Sequence, residues 1–430
     1  VLRGFASGNL KLDPSVPHIP IRRFCREVAL HVESRSTSVN PQSVEQPLAA
    51  LGADLSHLRF FANPRYEPTG ARRLTGVDPA VFTLLDEVAD ARHFVIRAHG
   101  ADRAFGDLGA PSFTGRSDEL RELASWLDGR GPSLRVVTGV PGVGKSALIG
   151  TFVCAAHPAL HETTEQLWRP SGGDIHETTD ELAIVHARRR GVPEILTSLA
   201  TQWELGSPGD ATTWTTDRLV TALRAKSVPP CLVMDAVDEA EHPADLISAV
   251  LLPLATTRRS DGAPLCRMLV ATRPEAAARP LIEAARACDG LIDLDKVSPL
   301  RLRKDLTQFV LRVLRPLLPG VSPWCSLPAA ESLGGALADT LLNGPREWGE
   351  FLVAGLYLRL LQEQMPSPAT TEQAEHLGSE VPRTLDAVLD LHLRLDPRPG
   401  LHELLAALAW AEGAGMPENL LAQVANPAPR

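Results

Sequence analysis

Gly139-Val140-Pro141-Gly142-Val143-Gly144-Lys145-Ser146 decides the fold. The stretch matches G-x-x-x-x-G-K-[S/T]. It follows the apolar run Leu134-Arg-Val-Val-Thr138 and opens a segment of helical periodicity that runs past Val153. Strand, glycine-rich turn and helix, in that order, make a phosphate-binding loop, or P-loop. The glycines let successive backbone N–H groups aim at phosphate oxygens, and the helix N-terminus adds partial positive charge. Lys145 is placed to reach the outer phosphates and the Ser146 hydroxyl to ligate Mg²⁺, with Ala147 the last loop residue expected to touch nucleotide. A chance match in a chain of this composition has odds of roughly a few in a thousand. Only five of the 43 basic residues are lysines, and one of the five lies in the motif.

Three further stretches extend the site. In Cys231-Leu-Val-Met-Asp235-Ala-Val-Asp238-Glu239, four apolar residues end in an acid, the Walker B pattern. A buried strand of this kind presents Asp235 beside the P-loop to hold Mg²⁺ through its water shell. Asp238 and Glu239 just beyond it either orient a water or are helix N-terminal acids favoured by the dipole. Met268-Leu-Val-Ala-Thr272-Arg273 ends another strand, so Arg273 is placed to touch the γ-phosphate or to pair with a surface acid. Phe113-Thr-Gly115-Arg116-Ser-Asp-Glu-Leu120 precedes the P-loop; its aromatic and Gly-Arg turn would cover the adenine side or simply open the domain.

Short apolar runs at 134–138, 182–187, 231–235, 268–272 and 290–294 alternate with helical patterns. That alternation predicts an α/β fold, a three-layer parallel sheet with helices on both faces. From 298 onward only helical patterns occur, at 300–318, 329–342, 347–364, 385–395 and 401–410, with 365–380 a polar, proline-containing linker. Residues 63–112, rich in Pro, Gly and Arg with one helical stretch at 81–89, read as a connector, and 21–32 has helical periodicity.

Of 430 residues, 44% are hydrophobic, so a sizeable core is expected. The formal charge of −9 gives no indication of nucleic-acid coating, and no apolar run reaches the roughly 18 residues of a membrane span. Six scattered cysteines without a C-x-x-C pair fit a reducing cytoplasm. Residue 1 is Val, and the chain reads as an internal segment of a longer protein. His161-Glu-Thr-Thr and His176-Glu-Thr-Thr lack the second His of a zincin motif and read as polar loop; His186, inside a strand, reads as packed.

Taken together, Phe113–Leu120, the P-loop, Leu232-Val-Met-Asp-Ala-Val-Asp-Glu239 and Thr272-Arg273 resemble the STAND class of P-loop ATPases, relatives of NACHT and NB-ARC proteins. A small residue, Ala236, follows Asp235, and the acids come at 238 and 239; in that class this form implies that Asp238 is the catalytic acid. Trp348-Gly-Glu-Phe-Leu-Val-Ala354 resembles the G-x-F-L-x-A helix of the class's lid. The resemblance covers about 113–425 and implies an NTPase core at 113–297, an all-α lid at 298–366, then a linker and the start of a winged-helix-like domain at 367–430. Pro20-Ile-Arg-Arg-Phe-Cys-Arg-Glu-Val28, Phe60-Phe-Ala-Asn-Pro-Arg65 and His93-Phe with Arg97-Ala-His-Gly100 resemble actinobacterial STAND proteins with an N-terminal caspase-like domain, of which 1–62 would be a remnant. The protease nucleophile turn and its His partner are not visible in 1–112, so no protease residue is assigned.

The resemblance implies a signalling switch: ADP holds a closed monomer, ATP with Mg²⁺ permits opening and homo-oligomeric assembly, and slow hydrolysis resets it. The trigger would be sensed beyond residue 430. Two rivals are an AAA+ ATPase acting on DNA or protein, which calls for Asp-Glu at the Walker B position, and a non-hydrolysing nucleotide-binding scaffold. A P-loop kinase is disfavoured because no second substrate site is evident.

Overall fold

The computed structural model describes residues 18–20, 59–62, 85–100, 113–169, 178–179, 181–206, 213–315, 322–345, 347–395 and 401–409. They belong to two compact units, 1–73 and 74–430. In the first, β1 (His18–Pro20) pairs antiparallel with β2 (Arg59–Ala62), with His18 opposite Ala62 and an irregularity at Pro20. The helical pattern at 21–32 lies outside the described residues.

The second unit contains all five strands expected from the sequence: β3 (Leu134–Thr138), β4 (Leu182–His186), β5 (Cys231–Asp235), β6 (Arg267–Thr272) and β7 (Leu291–Asp293). They form one parallel sheet in the order β4-β5-β6-β3-β7. Side chains alternate between two cores, as period-2 geometry requires. Val137, Ile184, Val233, Leu269 and Ala271 face α1 (Ala91–His99), α2 (Ser117–Leu127) and α3 (Lys145–Ala156). Val136, Val185, Leu232, Met234 and Val270 face the opposite core, with α4 (Val192–Gln202), α5 (Thr216–Ala225) and α6 (Arg279–Ala287). Between β5 and β6 the connecting helical segment is a turn Pro243–Leu246, a π-turn Ile247–Leu251 and a final turn Leu252–Thr256.

β6 lies between β5 and β3, so the Walker B strand is one strand removed from the P-loop strand rather than beside it. Register compensates: His186 is level with Asp235, and Thr138 with both Thr272 and Asp293, so the C-terminal strand ends share one rim.

Two organisational readings of the sequence are corrected. Residues 85–100 belong to the core of the second unit and are not a connector. Of the helical stretch expected over 81–89, residues 81–84 lie outside those described; in 85–90 the Asp86 carboxylate accepts from Val88 N and Ala89 N (2.9 and 2.7 Å) and closes a turn, and the described helix begins at Ala91. Asp90 then caps α1, whose Phe94, Val95 and Ala98 are fully buried against α3. The approach is close: a Cβ on Gly150 of α3 would lie 2.5 Å from Phe94 O and 2.9 Å from Ala98 N.

The second correction concerns 365–380. Thr370 caps a helix, α10 (Thr371–Ser379), in that stretch; its Ala374 is buried, and Tyr357 donates to Leu377 O at 2.7 Å. It packs with α7 (Pro299–Leu314), α8 (Leu327–Leu342) and α9 (Glu350–Gln364) in a third, all-helical core. Its polar composition is that of a helix with only one narrow buried edge. α11 (Leu385–Leu395) and α12 (Leu401–Ala409) follow. A winged-helix arrangement beyond them falls on residues outside those described. Among the described residues, no helix is long and apolar enough to cross a membrane.

Candidate functional site

The P-loop bends at Gly139, Gly142 and Gly144, all at positive φ, and delivers Lys145 to the first turn of α3. Lys145 Nζ donates to Gly139 O (2.7 Å) and Val140 O (3.1 Å), so the loop wraps its own lysine. Burial lowers the lysine pKa, and the nearby carboxylates of Asp238 and Asp235 resist that shift.

A cavity of about 390 Å³ opens above the loop. Its walls include Pro141 through Ala147, Asp235, Asp238, Glu239 and Arg273 from the strand rim, Phe113 and Arg116 from the turn before α2, and Ile96 and Arg97 from α1. Phe309, Trp348, Phe351 and Leu352 of the helical region close the far side. Gly139, Val140 and Gly115, expected to touch nucleotide, do not line it. The first two hold Lys145 through their carbonyls, and Val140 N donates to Asp295 at 3.0 Å. Gly115 sits at φ 79 against Asp305.

Arg116 is 2% exposed and at φ 56. Its Nη2 donates to Val143 O (2.9 Å), and its guanidinium lies 5.5 Å from the Phe351 ring centre. It braces the P-loop against α9. Burial lowers its pKa, against the pull of Glu119, Asp305 and Glu350.

Asp235 is 1% exposed. Its Oδ1 accepts from Ala236 N (2.9 Å), and its Oδ2 is 2.7 Å from His93 Nε2. An ionised carboxylate only accepts, so the His93 N–H donates. Burial alone would push Asp235 up; the His93 hydrogen bond and charge, the Ser146 hydroxyl and His186 outweigh it and hold the acid at about 2. A buried, ionised carboxylate hydrogen-bonded to the P-loop hydroxyl is an all-oxygen donor pair of the kind Mg²⁺ takes. Ser146 and Asp235 therefore fit that ion.

His93 stacks on His186 at 3.5 Å between ring centres and 13° between planes. His186 Nδ1 in turn lies 2.8 Å from Asp90 Oδ2. Burial lowers the His186 pKa, against Asp90. Packing describes His186, as expected from its place in a strand, but its partner His93 is a component of the site that the motifs do not reveal. The available signal is Asp90-Ala-Arg-His93: an N-cap acid followed by an apolar stripe at 94, 95 and 98.

Asp238, Glu239 and Arg273 form one ion-pair cluster. Asp238 Oδ1 accepts from Arg273 N (2.9 Å) and its Oδ2 lies 3.3 Å from Arg273 Nε; Arg273 Nη2 donates to Glu239 Oε1 (2.6 Å). Arg188 Nε holds the other Glu239 oxygen at 3.1 Å. Both oxygens of Asp238 are thus spent on Arg273, whereas Glu239 is more open to solvent, with its side chain 31% exposed against 5%.

The helical region touches the loop directly. Gly349 N donates to Pro141 O at 2.7 Å, and a Cβ on Gly349 would lie 2.0 Å from Val143 N. Of the two incomplete zincin motifs, His161 packs its ring on Trp168 at 4.6 Å, and His176 lies outside the described residues.

Strand, glycine-rich loop, helix and a buried acid on the same sheet rim define a P-loop NTPase fold of parallel-sheet α/β type. No protein-family model matches the chain, and no curated protein matches it. Among solved structures it is similar to Drosophila ORC bound to DNA, at 14% identity over 80% of this chain and 76% of that one, with TM-score 0.39. It is also similar to the Aeropyrum pernix ORC2 protein in its ADPNP–ADP complexes, at 15% identity over 76% of this chain and 83% of that one, with TM-score 0.34.

Proposed function

We propose that this chain is an ATP- and ADP-binding signal-transduction switch of the STAND type, whose nucleotide state sets the position of the helical lid. The observation that carries this reading is the seating of Gly349 on the P-loop. A nucleotide in the cavity contacts the core through Lys145, Ser146 and Arg273 and the lid through Trp348 and Phe351 at once. A ligand that favours one lid position by about 5.5 kcal/mol moves a 1:99 population to 99:1.

The geometry supports the following roles. Loop N–H groups and Lys145 hold the outer phosphates, once the lysine leaves Gly139 O and Val140 O. Ser146 and Asp235 hold Mg²⁺, which when bound neutralises phosphate charge. Arg273 exchanges part of its acid cluster for the γ-phosphate, and that exchange frees Asp238 or Glu239 to orient a water. In the closed arrangement both acids are engaged, which supports the reading of hydrolysis as slow and regulatory.

The test is the nucleotide that co-purifies with the chain, and its mass in solution with ADP and with a non-hydrolysable ATP analogue. The switch reading expects bound ADP, a monomer with ADP and a larger assembly with the analogue. One mass in both states would refute it. Fast turnover stimulated by DNA would favour the AAA+ reading, and binding without turnover the scaffold reading.

A further inference from the structure

Asp90, His93 and His186 bring their ligating atoms within 4.8 Å of one another, a set that suggests a transition-metal site. The ring geometry argues against it. A cation bound by two imidazoles lies near both ring planes, and these planes are stacked 13° apart with centres 3.5 Å apart. Planes so offset and so nearly parallel meet only far from the ring nitrogens, beyond the reach of a metal–ligand bond. The cluster is a hydrogen-bonded stack, and its product is the orientation of Asp235.

We propose that His93, carried by the helix before the P-loop domain's recognisable motifs, is a positioning residue that fixes the Asp235 carboxylate for Mg²⁺. The proposal rests on the reading of the cavity as a Mg²⁺–nucleotide site. Three donors surround Asp235: Ala236 N on Oδ1, His93 Nε2 on Oδ2, and the Ser146 hydroxyl. Ala236 N–H reaches Oδ1 from a residue at φ 58, so one oxygen is held by a backbone in a sparsely populated conformation. Only His93 comes from outside the strand and loop that bear the motif. Without it the carboxylate can rotate about its Cβ–Cγ bond, and the oxygen facing Ser146 is no longer set.

His93 is itself held from three sides. Its ring lies on His186, its backbone N–H donates to Asp90 Oδ1 at 3.1 Å, and Phe94 beside it is buried on α3. The preceding turn is tied down as well: His186 N donates to Val88 O (2.9 Å), and Ser198 Oγ to Asp86 Oδ2 (2.8 Å). Groups that orient a metal ligand in this way typically cost 10- to 100-fold in metal affinity when removed.

The experiment uses the full 430-residue chain, stripped of nucleotide. His93→Gln places an amide N–H near the position of Nε2; His93→Asn places it one atom short. ADP affinity is measured by calorimetry in EDTA, and Mn²⁺ affinity of the ADP complex by electron paramagnetic resonance. ADP affinity in EDTA should be the same in both variants and the unaltered chain. The Mn²⁺ dissociation constant should rise roughly 10- to 100-fold in His93→Asn and no more than about threefold in His93→Gln. Equal Mn²⁺ affinity in all three, while Lys145→Ala loses ADP, overturns the positioning role and leaves the nucleotide reading standing. A loss of ADP affinity in EDTA as large as the loss of Mn²⁺ affinity also overturns it, since His93 would then be holding the fold. Failure of the unaltered chain to bind ADP in either buffer removes the nucleotide reading and this inference together.

Discussion

Gly349→Ala tests the lid contact with a single methyl group. Gly349 has φ −65 and ψ 138, which alanine adopts freely, so the substitution adds no backbone strain. Its effect is steric. The new Cβ would lie 2.0 Å from Val143 N, 2.1 Å from Gly142 C and 2.4 Å from Gly142 O, all backbone atoms of the P-loop. Ordinary contact needs about 3.4 Å or more, so lid and loop must part by more than an ångström. That separation breaks the hydrogen bond from Gly349 N to Pro141 O, worth about 1 kcal/mol, and loosens the packing of Leu352 on Gly142. With the cost of overpacking, the seated lid should lose about 1–3 kcal/mol. Gly335→Ala in α8 is the control: its Cβ would meet only the far end of the Arg303 side chain, at 3.4 Å. It should be neutral or stabilising by up to about 1 kcal/mol through helix propensity. Limited proteolysis of the ADP complex reports lid opening, and a thermal melt reports stability. The Gly349→Ala chain should be cleaved faster near 342–350 and should assemble with a lower requirement for ATP. If its ADP complex is as resistant as that of Gly335→Ala, the seated lid does not depend on this contact and the argument fails.

Other expectations follow from the same geometry. Lys145→Ala should abolish measurable ADP and ATP binding by calorimetry; unchanged affinity would remove the P-loop assignment. Arg273→Ala should leave ADP affinity nearly intact and weaken a non-hydrolysable ATP analogue by about 1–3 kcal/mol, the usual scale of site coupling; equal losses would make Arg273 structural. Asp238→Asn and Glu239→Gln should divide the roles of the two acids in single-turnover assays. The resemblance assigns turnover to Asp238, and a defect confined to Glu239→Gln would transfer it to the more open acid. Asp235 is held at about 2, below its ordinary 3.8, so its contribution is present above pH 4 and is lost as pH falls through 2. Asp235→Asn should therefore flatten the acid limb of the apo protein's Tm–pH curve, by on the order of 2 kcal/mol; an unchanged limb would mean that the carboxylate is not held ionised.

The sheet was legible because its strands are continuous apolar runs, a signal that parallel strands buried on both faces cannot avoid giving. Asp235 was legible for the same reason: an acid closing such a run stands out. Strand order was not, since nothing in the residues of 267–272 says that this strand inserts between β3 and β5. Neither was α1. Nine residues containing two arginines and two histidines read as linker, and only tertiary contact with Gly150 reveals that Phe94, Val95 and Ala98 are core. The Arg273 cluster shows the limit of motif reading. Position along the chain places Arg273, Asp238 and Glu239 at one rim, but which of them binds which is set by side-chain geometry across two strands. Helix α10 was missed because its buried edge is only a few small residues wide.

The packing of α1 on α3 has a mechanical consequence. α1 is about 13 Å long; His93 in its first turn reaches Asp235, and Arg97 near its end borders the cavity. A displacement of α1 would be felt by the Asp235 carboxylate and by one wall of the cavity together. A fragment cut at the Phe113 turn would keep the P-loop, Asp235 and Arg273 and lose α1, uncovering α3 at Gly150 and removing the His93 donor from Asp235.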